Sequence, residues 1–394
     1  MRIRVWDRSL ATVAVTGALV ALMATSCSST GTAPAEPTAD SGRAKITEAL
    51  NNLISVDHLP GAQIVVTDHG RVWSATAGAG NVEQGTPFPE NSRVRIASNT
   101  KTFVSTVMLQ LVAESKVELD APVERYLPGF VHGPGIDGNR ITIRNLLQHT
   151  SGLPEYAAEF GTTPKPGQIE THDEQVRWGR TDMTEVVRNI LTTPADFEPG
   201  ARWAYSNTNY AIAAMVIEKI TASTIGAQIT HRIIEPLGLS DTYYPAPDET
   251  DIRGPHPLGY TEIDGKLIDY TSQNVTSAGA AGAIVSTGAD LNRFFTALLD
   301  GTLLPPAQLA EMKTTVPLSI SGPPVGYGLG LISQQLSCGK DSWGHGGDID
   351  GFETRSGVTA DGRSVTVITN QVPTTPEPTD HINQLVDTAL CPTP

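Results

Sequence analysis

Apolar residues recur along the chain with two distinct periods, and their order outlines a fold. Ile46, Leu50, Leu53 and Ile54 share one helical face just after Ala44, where folded sequence is expected to begin. Ala62 to Thr67 reads as a strand, Asp68-His69-Gly70 as its turn and Val72 to Thr76 as the returning strand. Val104, Val107, Met108, Leu111 and Val112 then repeat at amphipathic spacing in a helix that starts near Ser98. From there to about residue 275 helical patterns dominate: Thr142 to His149, Met183 to Leu191 and Thr208 to Ile220, separated by Pro- and Gly-rich loops. After Ala283 strand signals return, at Gly328 to Ile332, Glu353 to Thr359 and Ser364 to Thr369. A last helix, His381 to Leu390, follows Asp380 as its cap. The order predicts an α/β region split by a helical insertion, about residues 105–280, with both chain ends returning to the α/β part.

The first residues have a different character. Arg2, Arg4 and Arg8 precede an apolar run from Leu10 to Met23 that meets Ala24-Thr25-Ser26-Cys27. A basic start, a short apolar core and small residues at a cleavage point make the layout of an export signal over residues 1–27. The run is shorter than the roughly 20 residues of a spanning helix, which disfavours a retained membrane anchor. The small residues ending in Cys27 resemble a bacterial lipoprotein signal, in which the cysteine carries the lipid; Ala24 stands where Leu is usual. Residues 28–43, rich in Ser, Thr, Ala and Pro, read as a flexible tether to a domain over 44–394. The expected location is therefore the bacterial cell envelope, with a membrane contact through lipid on Cys27, or secretion. With Cys27 set aside, Cys338 and Cys391 remain as an even pair that an oxidising compartment lets join.

The chain has 394 residues and a net charge of -15, and no basic run to meet a phosphate backbone, so no nucleic-acid partner is expected. There is no His-Glu-x-x-His or paired-cysteine spacing, so no metal and no cofactor is expected. The Gly-x-Ser-x-Gly elbow of α/β-hydrolases is missing too.

Three short motifs carry candidate chemistry. Ser98-Asn99-Thr100-Lys101 places a hydroxyl and an amine one helical turn apart. A serine is a weak nucleophile until a base takes its proton, and burial lowers a lysine's pKa enough for that task. Taken alone, Ser98 reads as a helix cap, and Ser337-Cys338-Gly339-Lys340 matches the same pattern by chance in a turn. Tyr205-Ser206-Asn207 offers a proton relay and an amide just before a helix, although such a loop is more often packing. His345-Gly346-Gly347 follows Trp343 on an expected edge strand, where glycines let a substrate backbone come close.

In this order and context the three motifs resemble those of the serine penicillin-binding protein and class C β-lactamase superfamily, most of all D-alanyl-D-alanine carboxypeptidases and related esterases. The resemblance runs from about Ala44 to the C-terminus and includes Leu146 to Leu153, Tyr205 to Tyr210 and Gly326 to Gly330. It implies a β-lactamase/DD-peptidase-like α/β fold, an antiparallel sheet flanked by helices with an inserted helical region. It further implies that Ser98 forms an acyl-enzyme, that Lys101 and Tyr205 move its protons, and that Asn207 orients the substrate amide. Which of Lys101 and Tyr205 is the base stays open. His345 stands where many relatives have lysine, and the carboxypeptidase-like branch also uses histidine there, which implies a catalytic role for it. The oxyanion hole would be the backbone N–H groups of Ser98 and Asp348, with Gly346 and Gly347 on the substrate side. The family pattern puts His149 in a structural turn, without a catalytic role.

Two departures bear on the substrate. Gly346 occupies a position where carboxypeptidase-like relatives carry a hydroxyl, and Asp348 follows the motif as an acid. Asp348 would repel a peptide's terminal carboxylate, and no Arg or Lys between Lys313 and Lys340 is there to hold one. Weakened D-Ala-D-Ala specificity is expected. The candidate substrates are a peptidoglycan stem peptide, a β-lactam or a small ester. A catalytically silent lipoprotein that binds wall fragments is the reading from another class, and the intact motifs speak against it.

Overall fold

The computed structural model of the chain describes residues 39–158, 164–170, 173–318 and 324–391. The signal expected over residues 1–27, with Cys27, and the tether up to residue 38 lie outside the described residues. Helix α1 (Ala39–Ser55) begins ahead of the Ala44 boundary and buries Ile46, Leu50 and Leu53. Strands β1 (Gly61–Asp68) and β2 (Arg71–Asn81) form the expected hairpin. Its turn is possible because His69 and Gly70 both take positive φ, 48° and 77°, the geometry that matches strand twist.

Helices α2 (Thr100–Ala113), α3 (Asn207–Thr221) and α4 (Gly288–Leu299) follow. Strands β3 (Asp341–Gly344), β4 (Gly346–Ile349), β5 (Phe352–Thr359) and β6 (Ser364–Thr369) precede helix α5 (Pro376–Leu390). Among the described residues ten strands make one antiparallel sheet. Its path runs from Val316–Pro317 through Val325–Tyr327, Ile332–Gln335, β3, β5, β6, β1 and β2 to Thr86–Pro87, and β4 pairs with β5 off this path. The two ends of the chain meet at β6 and β1, where Ile64 lies opposite Val367. Ile64, Val65 and Val66 are all buried, because helices cover both faces of β1. Leu50 and Leu53 of α1 join Leu385 and Leu390 of α5 on one face, and α4 packs against β1 and β6 on the other.

Four local expectations change. Helix α2 is not amphipathic in its surroundings: Thr100 to Leu109 are all buried, so it is the central helix of the larger core. Its polar residues turn inward to partners; the Thr102 hydroxyl donates to Gly330 O at 2.8 Å, and Ser105 meets the Tyr210 hydroxyl at 3.0 Å. Ser98 does not open α2 but sits in a single tight turn, Ala97–Asn99, ahead of it. Gly328 to Ile332 is a bend between two strands, because Gly330 has φ 74° and Gly328 N–H closes a turn onto Leu331 O. Helix α5 starts after Thr375, with Pro376 in its first turn, rather than after Asp380.

Candidate active site

The turn that carries Ser98 is fixed from several sides. Ile96 N–H donates to Ile284 O at 3.0 Å, and Ile284 N–H donates back to the Thr100 hydroxyl at 3.1 Å. The buried Asn99 amide donates to Ile96 O at 3.0 Å and to the Thr354 hydroxyl of β5 at 2.8 Å. Ala97, buried, has φ 45°, a strained conformation for a residue with a β-carbon. Strand β4 presses on this turn: a side chain at Gly347 would collide with Ile96 O and with the backbone nitrogen of Ser98. That close approach sets the N–H of Ser98 and the start of Asp348 on the same wall.

Two groups converge on one oxygen, Ser98 Oγ. Lys101 Nζ lies 2.9 Å from Ser98 Oγ and donates to Ala281 O at 2.8 Å. The Tyr205 hydroxyl donates to Ser98 Oγ at 2.8 Å. Lys101 is wholly buried, and burial brings its pKa down to about 7, against the pull of the Glu155 and Asp348 carboxylates. A sizeable neutral fraction at neutral pH gives Lys101 a lone pair to accept the Ser98 proton. Tyr205 is 37 % exposed at its outer edge, but its hydroxyl turns inward, and burial holds the phenol proton above its ordinary range. The pair can therefore divide the work, the amine accepting and the phenol donating.

Glu155 was not legible as a site residue. Its carboxylate accepts from Ala157 N–H at 2.8 Å and from Asn207 N–H, the first residue of α3, at 2.5 Å. Burial raises its pKa, and the two backbone donors and nearby Lys101 pull the other way. It is the next residue but one after the Leu146 to Leu153 segment, which is the one sequence signal that could have pointed to it. Ser98, Asn207, Tyr156, Gln273 and Asp348 line one cavity of about 410 Å³.

Asp348 is not the bare charge expected. Arg355 of β5 grips it with two nitrogens, at 2.6 and 3.3 Å, and also meets the buried Glu353 at 2.6 Å. The nearby cation is Arg355, outside the Lys313–Lys340 stretch, and it lies across the strand pair because Gly346 faces Arg355 in the β4–β5 register. Repulsion of a substrate carboxylate is thus softened, though Asp348 remains the half-exposed member of the cluster.

His345 is placed beside the cavity rather than among its lining residues. Its Nδ1–H donates to Gly346 O at 2.5 Å, and Nε2 accepts from the Tyr327 hydroxyl at 3.1 Å. Burial pushes its pKa down to about 3, which favours the neutral ring. Both ring nitrogens of His345 are thus engaged with partners other than Ser98. Cys338 and Cys391 are joined in a disulfide that ties the turn leading into β3 to the end of α5; β3 itself is an interior strand of the sheet, not the edge strand expected for Trp343.

A serine held between a buried lysine and a tyrosine, where a sheet edge meets a helical region, defines a serine hydrolase of the penicillin-binding protein and class C β-lactamase superfamily. Residues 46–389 match the family model described as Beta-lactamase, and the chain belongs to that family. It is 30% identical over 223 residues to Esterase EstB of Burkholderia gladioli, covering 56% of each protein. The chain spans little more than half the length of Esterase EstB, and 39–41% of the length of other curated relatives it matches. Among solved structures it is similar to a D-stereospecific amidohydrolase from Streptomyces sp., at 37% identity and TM-score 0.78, covering 89% of this chain and 99% of that one. A D-amino acid amidase from Ochrobactrum anthropi SV3, complexed with L-phenylalanine amide, aligns at 26% identity and TM-score 0.72 over 89% and 97% of the two chains.

Proposed function

We propose that the protein hydrolyses small amides or esters, D-amino acid amides foremost, through an acyl-enzyme on Ser98. The observation that carries this reading is the single oxygen, Ser98 Oγ, within hydrogen-bond reach of both Lys101 Nζ and the Tyr205 hydroxyl. Neutral Lys101 takes the Ser98 proton as Oγ bonds to the substrate carbonyl carbon. The resulting oxyanion faces the N–H groups of Ser98 and Asp348; one such donor typically stabilises the transition state by about 3 kcal/mol. Tyr205 protonates the departing nitrogen or oxygen and regains a proton from Lys101. Water then attacks the acyl-enzyme by the reverse sequence, releasing the acid and restoring Ser98. Asn207 orients the scissile group. His345, neutral and bound to Tyr327, supports β4 beneath it.

The preference for amides of amino acids rests on charge. Glu262, Asp348 and Asp350 outnumber Arg177 among the lining residues and give the cavity an acidic cast that suits an ammonium group better than a terminal carboxylate. The likeness to the Streptomyces amidohydrolase and to the Ochrobactrum amidase supports the same substrate class. A second reading, a D-alanyl-D-alanine carboxypeptidase or β-lactam target, is favoured by Arg355, a cation within reach of the wall that a carboxylate could share with Asp348. The leader sequence supports action at the cell envelope, held by lipid on Cys27.

The test compares initial rates on D- and L-phenylalanine amide, a p-nitrophenyl ester and an acyl-D-Ala-D-Ala peptide, each with Ser98→Ala alongside. D-amide turnover above L-amide and peptide, lost in Ser98→Ala, is expected. A strong preference for the peptide would move the protein to the carboxypeptidase reading.

A further inference from the structure

His149 is wholly buried, has φ 59°, and takes no part in the steps above. Yet it is the hub of the segment that delivers Tyr205. Its carbonyl accepts Ala204 N–H at 3.0 Å. Its Nδ1 accepts Ser206 N–H at 3.2 Å and the Asn209 amide at 3.1 Å. Asn209 is itself oriented by the Ser151 hydroxyl, which donates to its carbonyl oxygen at 2.5 Å. Three bonds from one residue therefore bracket Tyr205 on both sides in sequence.

Two donors on Nδ1 leave only one tautomer. The ring proton sits on Nε2, which is buried and has no hydrogen-bond partner among the described residues. Aromatic rings surround the imidazole instead, with centroid-to-centroid separations of 4.4 Å to Tyr205, 4.9 Å to Tyr327 and 5.3 Å to Tyr210. The imidazole thus both holds the backbone beside Tyr205 and packs on its ring. Protonating Nδ1 would set it against two donors, and burial with Lys101 nearby already holds the ring neutral.

We propose that His149 is a positioning residue: its neutral imidazole fixes the Tyr205 hydroxyl against Ser98, and it acts on catalysis only through Tyr205. The inference rests on the reading that Tyr205 moves protons at Ser98. A core histidine that merely fills space would stabilise the fold without being coupled to Tyr205.

The experiment is a double-mutant cycle on the full chain, reading p-nitrophenyl ester turnover and the rate of Ser98 labelling by a fluorophosphonate. His149→Gly removes the ring while tolerating the positive φ; His149→Asn also tolerates it and keeps one acceptor for Ser206 N–H. Each is made in the native and the Tyr205→Phe backgrounds, with a thermal melt to establish folding. His149→Gly is expected to slow both rates roughly ten- to a hundredfold in the native background and less than about threefold in Tyr205→Phe. His149→Asn is expected to lose less, by a few-fold, with the same dependence on Tyr205. Equal losses in the two backgrounds, or none in folded His149→Gly, would overturn the proposal. If His149→Gly does not fold, His149→Asn gives the same comparison. Tyr205→Phe with native rates would instead overturn the role given to Tyr205.

Discussion

Replacing Lys101 by Met should abolish activity and stabilise the protein at the same time. The side chains are similar in length, but Met carries no charge into the wholly buried site. The gap between an ordinary lysine at 10.5 and the buried one at about 7 corresponds to about 5 kcal/mol of native-state penalty on the ammonium form. Below about pH 7 both folded and unfolded chains hold this proton, and the penalty is felt in full. Between about pH 7 and 10.5 the folded chain releases a proton that the unfolded chain keeps, so native stability rises by about 1.4 kcal/mol per pH unit from this group. Lys101→Met lacks both penalty and slope. It also leaves Ala281 O without its donor, which costs about 1–3 kcal/mol. The variant should therefore be more stable than the native protein by a few kcal/mol near pH 6, with the gap shrinking by about 3 kcal/mol near pH 9. Urea unfolding of both proteins at the two pH values measures the gap. A variant less stable at both, by a constant amount, would refute a buried lysine with a depressed pKa.

Three further outcomes follow from the same site and fold. On its acid side kcat/KM should fall with a midpoint at about 7 as Lys101 gains its proton, read from a pH profile on an uncharged ester; a flat profile down to about pH 5 would exclude Lys101 as the base. Asp348→Asn should raise the ratio of acyl-D-Ala-D-Ala to ester turnover by roughly five- to tenfold, about 1 kcal/mol of relieved repulsion, and an unchanged ratio would remove Asp348 from substrate choice. Opening the Cys338–Cys391 bridge, which spans 53 residues, should lower stability by roughly 4 kcal/mol, measured by denaturation with and without reductant.

What the sequence disclosed depended on how local each signal was. Ala62 to Thr67 and Ser364 to Thr369 were legible as strands, because their runs of β-branched residues are buried on both faces of the sheet. The Ser98 and Lys101 spacing placed two side chains on one face of a turn, and they do meet. Helix α2 read as half-exposed because Thr102, Ser105 and Thr106 are polar; nothing in their own segment says that Gly330 and Tyr210 come to cover them. Arg355 was invisible for the same reason, since its grip on Asp348 depends on strand register and not on spacing along the chain. Glu155 and the Tyr327 partner of His345 likewise gain their roles only through contacts between distant segments. Glycine-rich Gly328 to Ile332 misled in the other direction, its apolar residues hiding a turn that Gly330 makes possible.

The most direct test of the central claim is intact-mass analysis of the protein during turnover of a slow D-amino acid ester, followed by peptide mapping. One acyl group on the tryptic peptide that contains Ser98, formed and lost at the turnover rate and missing in Ser98→Ala, is the expected result. Undiminished turnover by Ser98→Ala, or an acyl group mapped to another residue, would contradict the mechanism outright.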